Sequence, residues 1–182
     1  MLILLIILAA GIVLGRLRGG SLRRLGDAKL RMVQAVFAGV VLQGSAAFVG
    51  SRTAATVLAL TSHVGVFAFA GANAKRPGMP LLALGALMNF VVVAANGSMP
   101  VSLDAMARAG IGSPAIGLPD LDALHEPLTD TTRLAFLADT IPVRVARHVV
   151  SPGDLVLWAG LLAAIQGLMI ARSRSGAGAH AA

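Results

Sequence analysis

Five long apolar runs, separated by short polar or basic patches, constrain the fold of this chain more than any other feature. They cover residues 1–15, 32–50, 54–74, 79–96 and 155–171. The chain is 57% hydrophobic and only 13% charged, whereas soluble domains carry roughly 25% charge. A short chain of this composition is most simply a bundle of membrane helices. We therefore expect an all-α transmembrane fold, with five helices over these runs in one domain of residues 1–171.

The charges predict which end of each helix faces the cytoplasm. Seven of the 8 acidic residues lie in residues 97–154. Ten of the 15 basic residues lie in three patches, residues 16–31, 75–78 and 172–182. Because cytoplasmic loops are enriched in Lys and Arg, we expect the N-terminus outside the cell membrane and the C-terminus inside. Residues 172–182 then form a flexible cytoplasmic tail.

Composition also bears on cofactors and partners. The chain has no cysteine, so disulfides and thiolate metal sites are excluded, and no metal site or other cofactor is predicted. The net charge of +7 lies beside apolar runs, which indicates anionic lipid rather than nucleic acid. A protein partner or a second copy of the chain is a further expectation. Gly11 and Gly15 form a GxxxG motif, which serves packing within the bundle or between two copies of the chain. The arginines expected to meet lipid headgroups are Arg16, Arg18, Arg23 and Arg24.

Four polar side chains fall near the middle of the predicted helices. Counted from the helix ends, they are Gln43, His63, Asn89 and Gln166. One interpretation is that they form hydrogen bonds between helices, worth on the order of 0.6 kcal/mol each. The other is a polar pocket or conduction path with His63 as its ionisable group.

The long acidic segment, residues 97–154, is predicted to fold over the outer helix ends as an extracytoplasmic cap, because it is too long for a simple connection. Its pattern predicts short helices at residues 102–109 and 129–138 and a turn-rich stretch at 110–119. The valine-rich stretch at 141–150 is expected either to be extended or to lie along the membrane interface. Ser151 and Asp154 have the spacing of a capping box that begins the last helix.

Several side chains of the cap have the chemistry of a catalytic or binding site. His125 and Glu126 are adjacent, but Pro127 follows and no second histidine stands four residues on, so a zinc-binding HExxH motif is absent. His125, Glu126 and Asp139 remain weak catalytic candidates. Asn96, together with His125 and Asp139, is a candidate for ligand binding.

Short motifs of the cap carry a family resemblance. They are NGSMPVS at residues 96–102, His125 alone, TRL at 132–134, FLADTIP at 136–142 and VSPGD at 150–154. With these motifs the chain resembles a family of small bacterial multi-pass membrane proteins catalogued as a domain of unknown function, family 5317. The resemblance implies a bacterial inner-membrane protein and implies no activity.

Three functions fit these observations. The first is a non-enzymatic membrane protein whose cap binds a ligand or a partner. The second is a small transporter or channel subunit that uses the polar residues of the helices. The third is a membrane-embedded hydrolase or a metal site on the outer face. Convergence of the His125, Glu126 and Asp139 side chains would favour the third function, and their dispersal would count against it.

Overall fold

A computed structural model describes residues 2–46, 48–112 and 121–170 of the chain. Within these residues the protein is mainly helical. The helices are α1 Leu2–Leu17, α2 Leu22–Gly26, α3 Val33–Ala46, α4 Arg52–Ala72, α5 Met79–Asn96, α6 Leu103–Arg108 and α7 Pro152–Ile170. Four short strands lie between α5 and α7: β1 Met99–Val101, β2 His125–Pro127, β3 Ile141–Val143 and β4 His148–Val150. We call residues 97–112 and 121–151 the cap.

The five longer helices pack in the spatial order α3, α4, α5, α7, α1. Hydrogen bonds join the segment before α3 to the turn between α4 and α5 at one end of the bundle. The backbone of Arg31 bonds to the side chain of Asn73, and Arg76 donates to the carbonyl of Lys29. We call this the basic end, and the opposite end, which carries the cap, the capped end. The predicted basic segments before α3 and between α4 and α5 thus lie side by side.

Among the described residues, three helices are long and apolar enough to cross a membrane: α4, α5 and α7. The other two helices of the bundle are shorter, with 16 residues in α1 and 14 in α3. At 1.5 Å per residue these rise about 24 Å and about 21 Å, against a hydrocarbon core of about 30 Å. Length and composition therefore support membrane crossing most strongly for α4, α5 and α7.

Glycines allow α7 to approach its neighbours closely. A Cβ atom on Gly85 would lie 2.6 Å from the backbone nitrogen of Leu157, and one on Gly11 would lie 2.9 Å from the Ile165 side chain. The atom opposite Gly85 belongs to the backbone and cannot yield, so the α5–α7 contact depends on this glycine. The atom closest to Gly11 is the flexible end of the Ile165 side chain, which can shift. The GxxxG motif of α1 accordingly packs on α7, within the bundle.

The helix α7 begins about halfway along α5. Gly153, near the start of α7, contacts the side chain of Asn89, and Gly78, just before α5, lies against Gly160 and Ala164. The second half of α7 therefore extends past the start of α5 at the basic end. At the capped end, β1 packs against α5, and the turn Ala135–Leu137 packs against both α5 and α7.

The prediction of a mainly helical protein is confirmed for the bundle, whereas the cap also contains strands. The cap is built around β1. Strand β2 pairs with β1 in parallel, and Asp139 forms a parallel bridge with Val101 on the other edge of β1. Strands β3 and β4 form an antiparallel pair, in the valine-rich stretch for which an extended conformation is one of the two expectations. Buried apolar side chains at Met99 and Val101 anchor the central strand.

The helix predicted at residues 129–138 is absent, and a single 3-10 turn, Ala135–Leu137, stands in its place. The Asn96 side chain binds both the amide and the carbonyl of Arg133, which removes those groups from helical bonding. Leu134 then adopts a φ of 54°, a left-handed conformation that a right-handed helix excludes.

The limits of the other helices differ from the predicted ones by a few residues. The helix α3 ends at Ala46 instead of residue 50. The helix α4 begins at Arg52, with Ser51 accepting a hydrogen bond from the amide of Ala54 as its N-cap. The basic segment also contains α2, capped in the same way by Ser21. The predicted tail at 172–182 and most of the turn-rich stretch, residues 113–119, lie outside the described residues.

Candidate functional site

Polar side chains form two sites in the cap, one on each face of strand β2. Successive side chains of a strand point to opposite faces. On one face Glu126 accepts a hydrogen bond from Arg52 at 2.7 Å. On the other, His125 contacts Asp122 at 2.7 Å and Asp139 at 3.7 Å. The cap thus holds an open site around Glu126 and a half-buried histidine–aspartate cluster around His125.

The open site is a cavity of about 430 Å³ between the start of α4, the end of α5 and the cap. Its wall contains two arginines, one glutamate, three threonines and one asparagine. These residues are Arg52, Asn96, Glu126, Thr129, Thr131, Thr132 and Arg133, together with Ala95 and Pro127. The wall is cationic, because two guanidinium groups face one carboxylate, and it is rich in hydroxyl groups.

Local hydrogen bonds fix the cavity wall on the cap side. The side-chain amide of Asn96 donates to the carbonyl of Arg133 at 2.9 Å and accepts from its amide at 2.9 Å. The amide of Thr129 donates to the hydroxyl of Thr132 at 2.9 Å. Thr56 of α4 donates to the carbonyl of Gly97, so the end of α5 is tied to the neighbouring helix. The backbone of the cavity wall is therefore held in place before any ligand arrives.

The turn before β2 positions the histidine. One carboxylate oxygen of Asp122 accepts from the amides of Leu124 at 3.0 Å and His125 at 3.2 Å, and it contacts Nδ1 of His125 at 2.7 Å. Burial opposes the charged form of His125, but the hydrogen bond and charge of Asp122 outweigh it and raise the pKa of His125. The bond to His125 in turn lowers the pKa of Asp122. The two side chains form a hydrogen-bonded pair at the base of β2.

Asp139 is the most buried acid among the described residues. Its side chain is 9% exposed, and its Oδ1 atom has no hydrogen-bond partner among them. The 3.7 Å from Oδ2 to His125 is too long for a hydrogen bond. Burial, together with the negative charge of Asp154, raises the pKa of Asp139 to about 8, against the opposing charge of His125. Asp139 therefore carries a proton at neutral pH, unlike Asp122.

The predicted capping box is present at the start of α7 and is joined to α5. The amide of Ser151 donates to Asp154 at 3.0 Å, and the amide of Asp154 donates to the Ser151 hydroxyl at 3.0 Å. Asn89 completes the network, because it donates to Asp154 at 2.8 Å and accepts from the Ser151 hydroxyl at 3.0 Å. These bonds satisfy the buried polar groups and fix where α7 begins on α5.

The other polar residues of the helices have separate partners. Gln43 accepts from the hydroxyl of Ser62 at 2.7 Å, which joins α3 to α4. His63 is buried and its Nδ1 atom contacts the carbonyl of Ala59 at 2.7 Å, in its own helix. Gln166 lies at the basic end, where it accepts from Arg18 at 2.7 Å. Gln166 is thus remote from Asn89, and a role for these residues in transport stays a prediction.

The three catalytic candidates do not converge. His125 and Asp139 meet, whereas Glu126 points to the opposite face of β2 and pairs with Arg52. Among the described residues no group of three or more His, Asp or Glu side chains could hold a metal ion. This arrangement gives less support to a hydrolase than to a binding site.

Three charged residues of the two sites were missed from the sequence: Arg52, Asp122 and Arg133. For Asp122 a signal existed, since an acid three residues before His125 can accept from its ring and its amide. Arg52 and Arg133 carry no such signal, because their neighbours in the cavity are distant in sequence.

Comparison with known proteins places the chain in a family. An uncharacterized protein of Thermotoga maritima is 31% identical over 109 residues, which cover 58% of this chain and 60% of the relative. The matched part thus spans less than two thirds of that relative. No solved structure matches the chain. The model of the DUF5317 family, described as a family of unknown function, matches residues 27–166. The chain belongs to this family.

Proposed function

We propose that the protein is a multi-pass membrane protein whose five longer helices all cross the bilayer. The cap is then extracytoplasmic and the basic end cytoplasmic. Support comes from the packing, because the basic stretches before α3 and between α4 and α5 lie at one end of the bundle and the acid-rich cap lies at the other. Lys and Arg concentrate on the cytoplasmic side of membrane proteins. The N-terminus accordingly lies outside and the C-terminus inside.

Length alone supports membrane crossing least for the shorter helices α1 and α3, and the surroundings of α1 add further support. Arg16 and Arg18 at the end of α1 have stems long enough to reach the headgroup region while the helix stays in the hydrocarbon. The helix α1 runs parallel to α7, with Gly15 against Met169 near the last turn of α7. It therefore shares the depth of a helix that is long enough to cross.

The function that the geometry supports best is binding of a small oxyanion, a carboxylate or a phosphate, at the outer face. The observation that carries it is the cationic cavity between α4, α5 and the cap, with Arg52 and Arg133 in its wall. A planar guanidinium group binds carboxylate and phosphate through two parallel hydrogen bonds. The hydroxyls of Thr129, Thr131 and Thr132 add donors for the remaining oxygens.

The size and construction of the cavity fit this function. Its volume of about 430 Å³ lies within the range of small-molecule sites, about 300–1,000 Å³. Glu126 already holds Arg52, so one guanidinium group is oriented before binding. Asn96 fixes the backbone of Arg133. A preorganised site loses less conformational entropy when the ligand binds. The proposed activity is binding without chemical conversion.

The test is calorimetric titration of the purified protein in detergent with inorganic phosphate and, separately, with succinate. We expect one of the two to bind, and Arg133→Gln to weaken its binding at least tenfold, the effect of losing about 1.4 kcal/mol. The matched control is Arg108→Gln, which removes the same charge from an exposed pair with Asp104. Equal weakening in both variants, or no binding of either anion, would contradict the proposal.

A second candidate function, proton-linked transport, is favoured by the buried acid Asp139. It lies beside His125 and under the electrostatic influence of Asp154, which is hydrogen-bonded to Asn89 of α5. Titratable groups therefore continue from the cap into the bundle. In proteoliposomes with an internal pH-sensitive dye, this function requires a proton flux that Asp139→Asn abolishes. A flux equal to that of empty liposomes would eliminate it.

A further inference from the structure

A large groove lies at the basic end, on the side of α7 that faces the turn between α4 and α5. Its volume is about 1170 Å³. Its polar part is formed by Arg18, Lys75, Arg76 and Gln166. Its apolar part is formed by Pro77, Ala159, Leu162, Ala163, Gly167, Leu168 and Ile170. None of these lining residues is acidic, so three cations stand beside an apolar wall.

Two of the cations are held in position by protein groups. Arg18 donates to Gln166 at 2.7 Å, and Arg76 donates to the carbonyl of Lys29 at 2.7 Å. A guanidinium group has five N–H donors, and each of these bonds uses one. Lys75, between α4 and α5, is exposed. The three side chains thus present donors toward the groove without a carboxylate in its lining to compete for them.

The apolar wall continues from the cations along one strip of α7. Ala159, Leu162 and Ala163 are spaced three and four residues apart and so share a face. Ala159 is exposed and the other two are partly exposed, because α1 and α5 cover other faces of the helix. The strip extends about two turns from Gln166 toward the capped end, away from the charged groups.

We propose that this groove binds one phospholipid with an anionic headgroup. The phosphate lies among Arg18, Lys75 and Arg76, and an acyl chain follows the strip of α7. Charge complementarity selects this occupant, because three cations without an acid favour a lipid of net negative charge over a zwitterionic one. The proposal rests on the proposed membrane orientation, which places the basic end at the cytoplasmic headgroups.

The arginines that the sequence predicts at the headgroups differ in their position relative to the groove. Arg18 lines it. Arg24 instead donates to the carbonyl of Met169 at 3.2 Å. Arg23 is 92% exposed and lies 3.8 Å from Asp27. Arg23 and Arg24 can still attract the anionic surface in general, whereas the specific site needs Arg18 and the turn between α4 and α5.

The test is native mass spectrometry of the full-length protein in detergent, with phosphatidylglycerol and phosphatidylcholine of identical acyl chains. We expect one phosphatidylglycerol per chain to bind in preference to phosphatidylcholine. The double variant Lys75→Gln, Arg76→Gln should weaken this binding at least tenfold, since each charged hydrogen bond contributes about a tenfold factor. The matched control Arg23→Gln, at the same end of the bundle, should bind as the unchanged protein does.

Two further arms identify what the groove holds. Ala163→Phe changes no charge and fills the apolar strip, so it should weaken phosphatidylglycerol binding while circular dichroism shows an intact helical protein. Soluble glycerol phosphate should compete at least a hundredfold less well than the lipid, because it lacks the chain. No preference for phosphatidylglycerol, equal weakening by Arg23→Gln, or full competition by glycerol phosphate would overturn the proposal. Maleimide labelling of single cysteines tests the orientation separately.

Discussion

The two ends of the bundle use their charges in different ways. At the capped end, acids form specific contacts: Asp122 with His125, and Asp154 with Asn89 and the Ser151 amide. At the basic end, arginines bind backbone carbonyls, as Arg76 does with Lys29 between α2 and α3 and Arg24 does with Met169 near the end of α7. The contacts at the capped end are partly buried, whereas those of Arg18 and Arg76 are exposed.

This difference indicates what each end contributes. A buried polar network is costly to break, because its remaining members lose both water and partners. Exposed charged pairs contribute roughly 0–1 kcal/mol. The capped end therefore stabilises one arrangement of side chains, which a binding site requires. The exposed charges of the basic end contribute little to stability, which fits the proposed role of this end in orientation and contact with lipid.

The largest expected effect is at the capping box of α7. Asp154→Ala removes two side-chain hydrogen bonds and leaves the side-chain N–H of Asn89 and the backbone amide of Ser151 without these partners. We expect a loss of about 3 kcal/mol in the free energy of unfolding, measured by denaturant titration in detergent. Asp104→Ala is the matched control, since Asp104 also stands in a first helical turn but is 72% exposed. A control effect as large as that of Asp154→Ala would remove the contrast between buried and exposed acids.

The second prediction concerns pH and Asp139. Its folded pKa of about 8 lies above the ordinary value near 3.9, so the folded protein holds a proton that the unfolded chain releases. Stability should fall by on the order of 1 kcal/mol per unit as the pH rises from 6 to 8. The raised pKa of His125 acts in the same direction, because its contribution is lost as the pH rises through its folded pKa.

Thermal melts of the unchanged protein and of Asp139→Asn, at pH 6, 7 and 8, measure this effect. The stability of the variant should fall much less as the pH rises, because only the contribution of His125 remains. Equal slopes for the two proteins would show that Asp139 is ionised at neutral pH, as an exposed acid would be.

The third prediction concerns the wall of the open cavity. Asn96→Ala removes two hydrogen bonds to the backbone of Arg133 and should cost about 1–2 kcal/mol of stability. It should also weaken anion binding in calorimetry, because Arg133 is no longer held at the cavity. Glu126→Gln, which keeps the shape of the side chain that holds Arg52, should change stability by less than about 1 kcal/mol. Unchanged anion binding by Asn96→Ala would show that Asn96 does not support the anion site.

The smallest effect is expected at the basic end. Arg23→Gln alters an exposed pair with Asp27 at 3.8 Å and should change the free energy of unfolding by less than about 0.5 kcal/mol. Denaturant titration of this variant beside Asp154→Ala measures the smallest and the largest expected change in the free energy of unfolding. A loss above 1 kcal/mol would mean that exposed charges at the basic end also stabilise the fold.

Local signals in the sequence were sufficient for part of this structure. The limits of α5 match the prediction of residues 79–96, because Pro80 stands in its first turn and Gly97, with a φ of 76°, ends it. The spacing of Ser151 and Asp154 was sufficient for the capping box. These features depend on residues within a few positions of each other.

The rest depends on contacts between distant residues. Strands of three residues show too little alternation to be recognised, and the pairing of β1 with β2 crosses a long stretch of chain. The contact of Arg52 with Glu126 spans 74 positions, so no motif marks it. The position of α7 on α5 is fixed by close packing at Gly85 and by the bonds of Asn89, which helical periodicity does not specify.

The most direct test of the account is labelling of single cysteines from one side of the membrane. The natural chain has no cysteine, so Thr131→Cys in the cap and Ala74→Cys at the basic end, both exposed positions, report without background. In intact bacterial spheroplasts, a membrane-impermeant maleimide should label Thr131→Cys at once and Ala74→Cys only after permeabilisation. The reverse pattern, or equal labelling of both in intact spheroplasts, would contradict the assignment of the capped end to the outer face.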